Sequence, residues 1–386
     1  MRVAIIHDWL NGMRGGERVL EVLSRLFSEV EVYTLFYEPE KISTEIRNLS
    51  ITPSILQKLP FVRLYYRLLL PLYGIGIWDL GRKLERMHHH QPYDLVISVS
   101  HCVAKNIRPP ESVFHLCYCL TPVRYLWDQF DVYFQNSLFR PLIALIAKPL
   151  RAWDVKSASS VDRFIGISKF VCERIKRYYG RDSSVIYPPV SNHWGTHKTQ
   201  IPIKEGFLCV NALVPYKNVD VVILAFNELG LPLTVVGRGP EKKRLQRLAK
   251  KNICFLENIS DQALAELYSS SRALVFAAEE DFGMTPVEMQ SAGRPVIALG
   301  KGGALETVRG KSPSGNITGL FFYEPTAERI VAAVNKFIEN EASFSAESCK
   351  NNATQFSIEQ FNASFDSVIR DISGKNRKVH SHVYGK

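Results

Sequence analysis

The sequence predicts an α/β protein built from two Rossmann-like, doubly wound parallel-sheet domains. Three observations carry that reading. Short apolar runs alternate with amphipathic helical patterns along the whole 386-residue chain, which is the rhythm of parallel βαβ units. The rhythm restarts after residue 190, beyond a stretch rich in Pro, Gly and polar residues. The length suits two domains, each able to bury its own core.

The first domain spans 1–190. VAIIHDW (3–9) is a buried strand, GERVLEVLSRLF (16–27) an amphipathic helix, and EVEVYTLFY (29–37) a strand. YDLVISVS (93–100), VFHLCYCL (113–120) and DRFIGIS (162–168) continue the strand series. Residues 55–90 form a helical excursion of unusual character. Leu, Tyr, Phe and Ile dominate it, with Arg63, Arg67, Arg82, Lys83 and Arg86 interspersed, and Pro60, Pro71, Gly74 and Gly76 are expected to break it into short helices. Basic, aromatic and apolar residues together suit an anionic membrane surface, and packing against the first sheet is the alternative. SLFRPLIALIAKPLRAW (137–153) has the same character.

Residues 191–206 read as a hinge, and the second domain spans 207–355. FLCVNAL (207–213), LPLTVVG (231–237), ICFLEN (253–258), ALVFAA (273–278), RPVIALG (294–300) and ITGLFFY (317–323) are its strands. DVVILAFNELG (220–230), PEKKRLQRLAKK (240–251), DQALAELYSSS (261–271) and AERIVAAVNKFIEN (327–340) are its helices. A C-terminal helix over 356–372 is expected to pack back on the first domain, and the polar, basic residues 373–386 are expected to be a disordered tail. Two such domains place a ligand cleft between the carboxyl ends of their sheets.

Composition narrows the partners. The chain is 46% hydrophobic and 22% charged, with a formal charge of +10, so bulk disorder is excluded and anionic ligands or membranes are favoured. No zinc-finger spacing, RNP pattern or long Lys/Arg run points to nucleic acid. The seven cysteines are odd in number, irregular in spacing and without a CxxC pair, which reads as buried thiols in a reducing compartment. MRVAIIHDWL reads as a first strand rather than a signal peptide. No apolar stretch reaches the ~20 residues of a membrane span. A cytoplasmic location follows as the expectation, with peripheral contact at the inner face of the membrane.

The densest chemical signal is EEDFGMTPVE (279–288). It falls in the loop after the ALVFAA strand. Thr285 and Glu288 have the T-x-x-E spacing of a capping box, with Pro286 at the first helical position and Gly293 at the helix end. Glu288 then either only caps its helix or also reaches a ligand, and Glu280 faces the same cleft. Amides around Gly283 and Met284 favour anionic oxygens. Glu279 and Asp281 are expected to be solvated. The triplet His88-His89-His90 has no carboxylate or cysteine at ligand spacing, so no metal is expected. Ser100 and Ser168 end strands without a G-x-S-x-G elbow, which argues against a serine hydrolase.

Glu280 and Glu288 bracket seven residues and precede RPVIA. This element resembles the E-x7-E of retaining glycosyltransferases of family 4, which have the GT-B fold. NALVPYKNVDVVILAFNELGLPLTVVGRGPE (211–241) and GKGGALETV (300–308) are similar to the donor domain of that family. HDWLNGMRGGERVL (7–20) resembles its glycine-rich loop. YCLTPVRYLWD (118–128) and FIGISKFVCERIKRYYGRDSSVIYPPV (164–190) resemble the branch holding bacterial mannosyltransferases of surface-polysaccharide assembly.

The resemblance implies specific roles. Glu288 would bind the nucleotide ribose and Glu280 the transferred sugar. Lys217 would neutralise the donor diphosphate, and Phe282, Gly283, Met284 and Thr285 would offer backbone amides. Gly237 and Arg238 would lie near the donor, and Gly15 and Gly16 would let the first domain's backbone approach the diphosphate or acceptor. Two positions depart from the family: Ala212 stands where many members have an arginine, and Leu120 where many have a histidine. Arg124 and His101 are the candidates to compensate. The implied reaction is metal-independent and retaining, needs no cofactor, and moves mannose from GDP-mannose to a lipid-linked saccharide or glycolipid. A UDP-sugar donor, or a non-catalytic nucleotide-sugar-binding subunit, are the alternatives.

Overall fold

The computed structural model describes the chain except for residues 61, 63–65, 129, 131–139, 192, 193, 195–205, 311–315 and 384–386, and except for the side chains of 67, 68, 142 and 375–383. The chain divides into two compact units, Met1–Pro188 with Phe361–Lys386, and Pro189–Gln360. The hinge expected at 191–206 lies mostly outside the described residues, as does Arg63.

The first unit holds a seven-stranded sheet: β1 (Arg2–His7), β2 (Glu29–Thr34), β3 (Ser50–Pro53), β4 (Leu95–Ser100), β5 (Phe114–Cys119), β6 (Arg163–Gly166) and β7 (Ser183–Val185). Its order is β3-β2-β1-β4-β5-β6-β7, and every pairing is parallel. Its longer helices are α1 (Gly15–Ser24), α2 (Tyr73–His90), α3 (Arg140–Ser157) and α4 (Lys169–Tyr179). The central strands β1 and β4 are wholly buried, which is why they read as unbroken apolar runs. The edge strands β3 and β7 are four and three residues long and largely exposed or half-buried, so no such run announces them.

Gly74 and Gly76 do not break the excursion. Helix α2 runs unbroken through both for 18 residues. A Cβ on Gly76 would lie 2.7 Å from Leu35 and 2.8 Å from Leu56, so this glycine admits side chains from the core instead of ending a helix. Tyr73, Ile77, Leu80 and Leu84 face that core, whereas Ile75 and Trp78 are 53% and 61% exposed. Arg82 lies over the Trp78 ring at 5.2 Å. On α3, Leu145 is 64% exposed. The His88–His90 triplet ends α2, and His88 Nδ1 accepts from the Tyr93 amide at 3.0 Å, a local helix-end contact. Among the described residues no helix is long and apolar enough to cross a membrane.

The second unit holds a six-stranded sheet of β8 (Phe207–Val210), β9 (Leu233–Val236), β10 (Ile253–Leu256), β11 (Leu274–Phe276), β12 (Val296–Leu299) and β13 (Gly319–Phe322). Its order is β10-β9-β8-β11-β12-β13, again all parallel. Its longer helices are α5 (Val219–Leu229), α6 (Lys242–Leu248), α7 (Asp261–Ser270), α8 (Met284–Ser291), α9 (Ala327–Glu339) and α10 (Ala346–Ala353). The core joins Phe207, Phe226, Val235, Val275, Ile297 and Phe337. Cys254 is exposed and Cys172 half-buried, against the expectation of buried thiols; Cys254 lies on the edge strand β10, where alternate side chains face outward.

Helix α11 (Ile358–Val383) completes the chain. From Phe361 onward it belongs to the first unit, where Phe361 and Phe365 meet the buried Tyr118 ring at 5.8 and 5.5 Å. The disordered tail expected from 373 is instead helix as far as Val383. The hydrogen bonds of a helix are local, so a polar sequence does not by itself prevent one.

Candidate functional site

In doubly wound sheets, ligands bind at the carboxyl ends of the two strands where the strand order reverses. In the second unit those strands are β8 and β11, and the loops leaving them carry Lys217 and Glu280. After β8, residues Pro215–Lys217 form a single 3-10 turn. Asn218 follows in the left-handed region at φ 54°, a conformation asparagine tolerates better than most residues. Its side-chain amide donates to the Ala277 carbonyl at 2.9 Å, tying the two loops together. Lys217 and Glu280 form an ion pair here, their side chains 12% and 16% exposed. The Lys217 ammonium also lies 5.3 Å from the Tyr216 ring centroid.

The Glu280 loop is held from one side by the GKGG turn. Glu280 bridges Gly302 in parallel fashion, and the Gly303 amide donates to the Glu280 carbonyl at 2.8 Å. A Cβ on Gly302 would lie 2.4 Å from Glu280 O, and one on Gly303 2.3 Å from Phe282 Cα. Both approaches are possible only without a side chain. Closure by this turn is consistent with the burial of Asp281, which corrects the expectation that it is solvated; Glu279 is exposed.

Helix α8 then starts differently from the expected capping box. Its N-cap is Gly283, at φ 89° and ψ 72°, with no side-chain cap, and Met284 is the first helical residue. Thr285 is therefore inside the first turn rather than at its cap, and Pro286 is the third helical residue rather than the first. A left-handed residue at this point suits glycine, and it swings the chain straight into the helix, leaving Thr285 no position from which to cap. Glu288 does not serve a capping box. It accepts a 2.8 Å hydrogen bond from the Tyr268 hydroxyl on α7, and the buried Tyr268 ring packs edge-on against Trp194 at 5.4 Å. Phe282 turns its ring into the core against Phe356 at 5.4 Å, while Met284 and Thr285 are half-buried.

Gly237 and Arg238 follow β9. The Gly237 amide donates to Leu256 O at 3.0 Å, and the Arg238 carbonyl accepts from Leu213 at 2.9 Å. The exposed Arg238 guanidinium donates to Asn258 at 3.1 Å. Ala212 is exposed in the β8 loop.

In the first unit the order reverses between β1 and β4. Asp8 and His101 are the residues just past those strands. Asp8 is fully buried and accepts four backbone hydrogen bonds, from His101 and Cys102 at 2.7 and 2.9 Å and from Val103 and Ala104 at 2.6 and 2.7 Å. His101 Nδ1 lies 3.1 Å from the same carboxylate, with its side chain 26% exposed. Its ring meets Trp9 edge-on at 4.5 Å. Burial lowers the His101 pKa, and Arg14 and Arg124 lower it further against the pull of Asp8. The neighbouring His7 is pushed down to about 4, mainly by burial.

Gly15 opens α1. Gly16 lies against Leu120, whose Cδ1 would be 2.9 Å from a Cβ there, so the chain's own leucine occupies the space beside this glycine. Glu17 accepts from the Arg14 amide at 3.1 Å, and burial raises its carboxyl to about 7.

The structure thus brings Lys217 and Glu280 together, and adds Tyr268, Asn218, Gly302 and Gly303 behind the donor-site candidates. The two glycines are visible in GKGGALETV, but their partner is not. Nothing in the sequence pairs Tyr268 with Glu288. Asp8 sits in the quoted HDW, where only the β1–β4 neighbourhood reveals its four donors. Among the described residues no group of three or more His, Cys, Asp or Glu is arranged to hold a metal ion.

Comparison with known proteins shows likeness to glycosyltransferases in sequence and fold. The family described as glycosyl transferases group 1 matches residues 198–356. An uncharacterized glycosyltransferase of Methanocaldococcus jannaschii is 28% identical over 161 residues, 39% of this chain and 44% of the relative. The serotype-specific mannosyltransferase WbdA of Escherichia coli is 30% identical over 187 residues, 39% of this chain and 23% of the relative. The matches therefore span less than half the length of these curated relatives. Among solved structures, Anabaena HepE in complex with UDP superimposes with a TM-score of 0.73 at 16% identity, covering 96% of this chain and 100% of that one. Residues 198–356 thus match the glycosyl transferases group 1 family, and the two parallel-sheet units have the GT-B fold.

Proposed function

We propose that the chain is a retaining, metal-independent glycosyltransferase that moves mannose from GDP-mannose to a lipid-linked saccharide or glycolipid in surface-polysaccharide assembly. The observation that carries this reading is the Lys217–Glu280 pair at the strand-order reversal of the second sheet. A cation and a carboxylate side by side suit the two halves of a nucleotide sugar: Lys217 takes the diphosphate and Glu280 the sugar hydroxyls. Glu288, steadied by Tyr268, takes the ribose. The amides opening α8 complement the phosphate oxygens. Charge growing on the leaving diphosphate is then met by Lys217 and those amides, the main catalytic contribution in this reading.

Mannose is supported by the likeness to WbdA, and retention by the family-4 resemblance. A lipid-borne acceptor suits the exposed Ile75 and Trp78, with Arg82 over the Trp78 ring, and the exposed Leu145 of the first unit, which would rest on an anionic membrane at its inner face. A UDP-sugar donor is the second reading, because the Anabaena relative is described with UDP bound.

The test is nucleoside diphosphate release from a panel of GDP- and UDP-sugars in the presence of a membrane lipid extract. Release that requires a GDP-sugar and disappears in Lys217→Ala and Glu280→Ala supports the proposal. Tight nucleotide-sugar binding without release would replace it with a binding subunit, for which Ala212 and Leu120 are the reason. Liposome co-sedimentation tests the surface: binding should weaken with salt and in Trp78→Glu, and indifference to both would remove the membrane from the reading.

A further inference from the structure

We infer that the first domain carries its own hydroxyl-binding centre, in which Asp8 fixes the His101 ring so that Nε2 accepts a hydrogen bond from an acceptor-sugar hydroxyl. The nature of that ligand rests on the glycosyltransferase reading; the geometry does not. Asp8 and His101 occupy the strand-order reversal of the first sheet, as Lys217 and Glu280 occupy that of the second. This is where doubly wound sheets present ligand-binding groups.

The carboxylate can only accept hydrogen bonds, so the His101 nitrogen 3.1 Å from it must be the protonated one. Nδ1 is then the donor, and Nε2 keeps a lone pair. Burial is the main reason that the ring stays neutral; of the charged groups around it, Asp8 favours imidazolium, while Arg14 from the glycine-rich loop and Arg124 from the loop after β5 disfavour it. His7, on β1 beside it, is itself neutral near pH 7. Trp9 packs edge-on against the ring and restrains its rotation. The ring is thus fixed in tautomer and direction, and partly exposed to solvent.

Asp8 also serves the backbone, since its four amide bonds hold residues 101–104. That service explains a buried carboxylate but not an imidazole left partly in solvent. In this centre Asp8 is a positioning residue and His101 the residue that touches substrate. A hydroxyl held by Nε2 has its oxygen lone pairs directed away from the ring, toward whatever it is to attack. The site also supplies an imidazole in a chain whose position 120 holds leucine.

The experiment compares His101→Ala, His101→Gln and His101→Asn at saturating donor with varied acceptor from the lipid extract. The glutamine oxygen reaches about as far as Nε2, whereas asparagine retains only a donor toward Asp8. The alanine and asparagine variants should lose on the order of 10- to 100-fold in kcat/KM for acceptor, with donor KM changed less than about twofold. Glutamine should recover about tenfold of that loss. An asparagine variant as active as wild type, or a donor KM that moves as much as the acceptor's, would overturn the inference. Imidazole nitrogen NMR gives a readout independent of turnover. The His101 signals should show the Nδ1–H tautomer, and Nε2 should shift on titration with methyl α-mannopyranoside; an Nε2–H tautomer or no shift counts against the centre. Wild type inactive with every nucleotide sugar would instead defeat the glycosyltransferase reading.

Discussion

Replacing Lys217 by methionine separates what the Lys217–Glu280 pair does for stability from what it does for chemistry. The two side chains are 12% and 16% exposed, so neither is fully solvated. Removing one member of a well-buried ion pair costs about 3–5 kcal/mol, because the other charge remains without its counterion. The residual exposure, and water reaching the remaining group, reduce this to about 2 kcal/mol here. Lys217→Met and Glu280→Gln should therefore each lower unfolding stability by about 2 kcal/mol. The double variant should lose less than the sum of the two, with a coupling of about 1–2 kcal/mol. Activity follows a different rule: the coupling recovers part of the summed stability loss but no turnover, because in the proposed roles neither the diphosphate nor the sugar then has its partner. Urea unfolding at pH 7.5 and nucleoside diphosphate release measure the two effects. Additive stability losses would show that the pair is not energetically coupled, and an active double variant would remove both residues from the chemistry.

Tyr268→Phe keeps the buried ring and removes only the hydroxyl held by Glu288. Donor KM should rise about fivefold to tenfold with stability changed by roughly 1 kcal/mol; an unchanged donor KM would release Glu288 from the ribose role. Acid should destabilise the chain. His7 and His115 are pushed down to about 4 by burial, so their stabilising contribution is complete above pH 6.5 and is lost as pH falls toward 4. Glu17 runs the other way. Raised to about 7 from 4.5, it favours the folded state as pH falls from 7 to 4.5. The two histidines outweigh it, and the urea midpoint should drop between pH 6.5 and 4.5. Glu17→Gln should raise stability at pH 8, by up to about 3 kcal/mol, and give no such gain at pH 4.5; equal effects at both pH values would refute the buried-carboxyl account.

The second domain was the more legible half. Its six strands are apolar runs bounded by Gly, Pro or polar residues, and each of the six expected runs contains an observed strand. Much of its candidate site is written in one continuous segment, because the loop after β11 and the start of α8 together supply Glu280, Gly283 and Glu288, with Lys217 added from the loop after β8. What the sequence concealed there is the second layer. The capping-box spacing of Thr285 and Glu288 is real as a pattern, but a left-handed Gly283 starts the helix two residues early and leaves Glu288 to Tyr268. Spacing along the chain cannot weigh a local cap against a partner on another helix.

In the first domain the difficulty is of another kind. Asp8 and His101 are 93 residues apart, and neither belongs to a short motif. A lone aspartate after a strand most often caps a turn, and a lone histidine most often packs in a core. Only the parallel pairing of β1 with β4 brings their ends side by side, and only then do four amides and an imidazole converge on one carboxylate. The short edge strands β3 and β7 went unseen for a related reason, since their stability comes from the neighbouring strand rather than from an apolar sequence. Leu120 shows the consequence for function. Read along the chain it is a missing histidine, whereas in the fold it lies beside Gly16 and His7, with His101 a short distance along the same edge of the sheet. On the inference drawn above, the leucine would then mark a change in which strand supplies the imidazole, and the His101 variants test it.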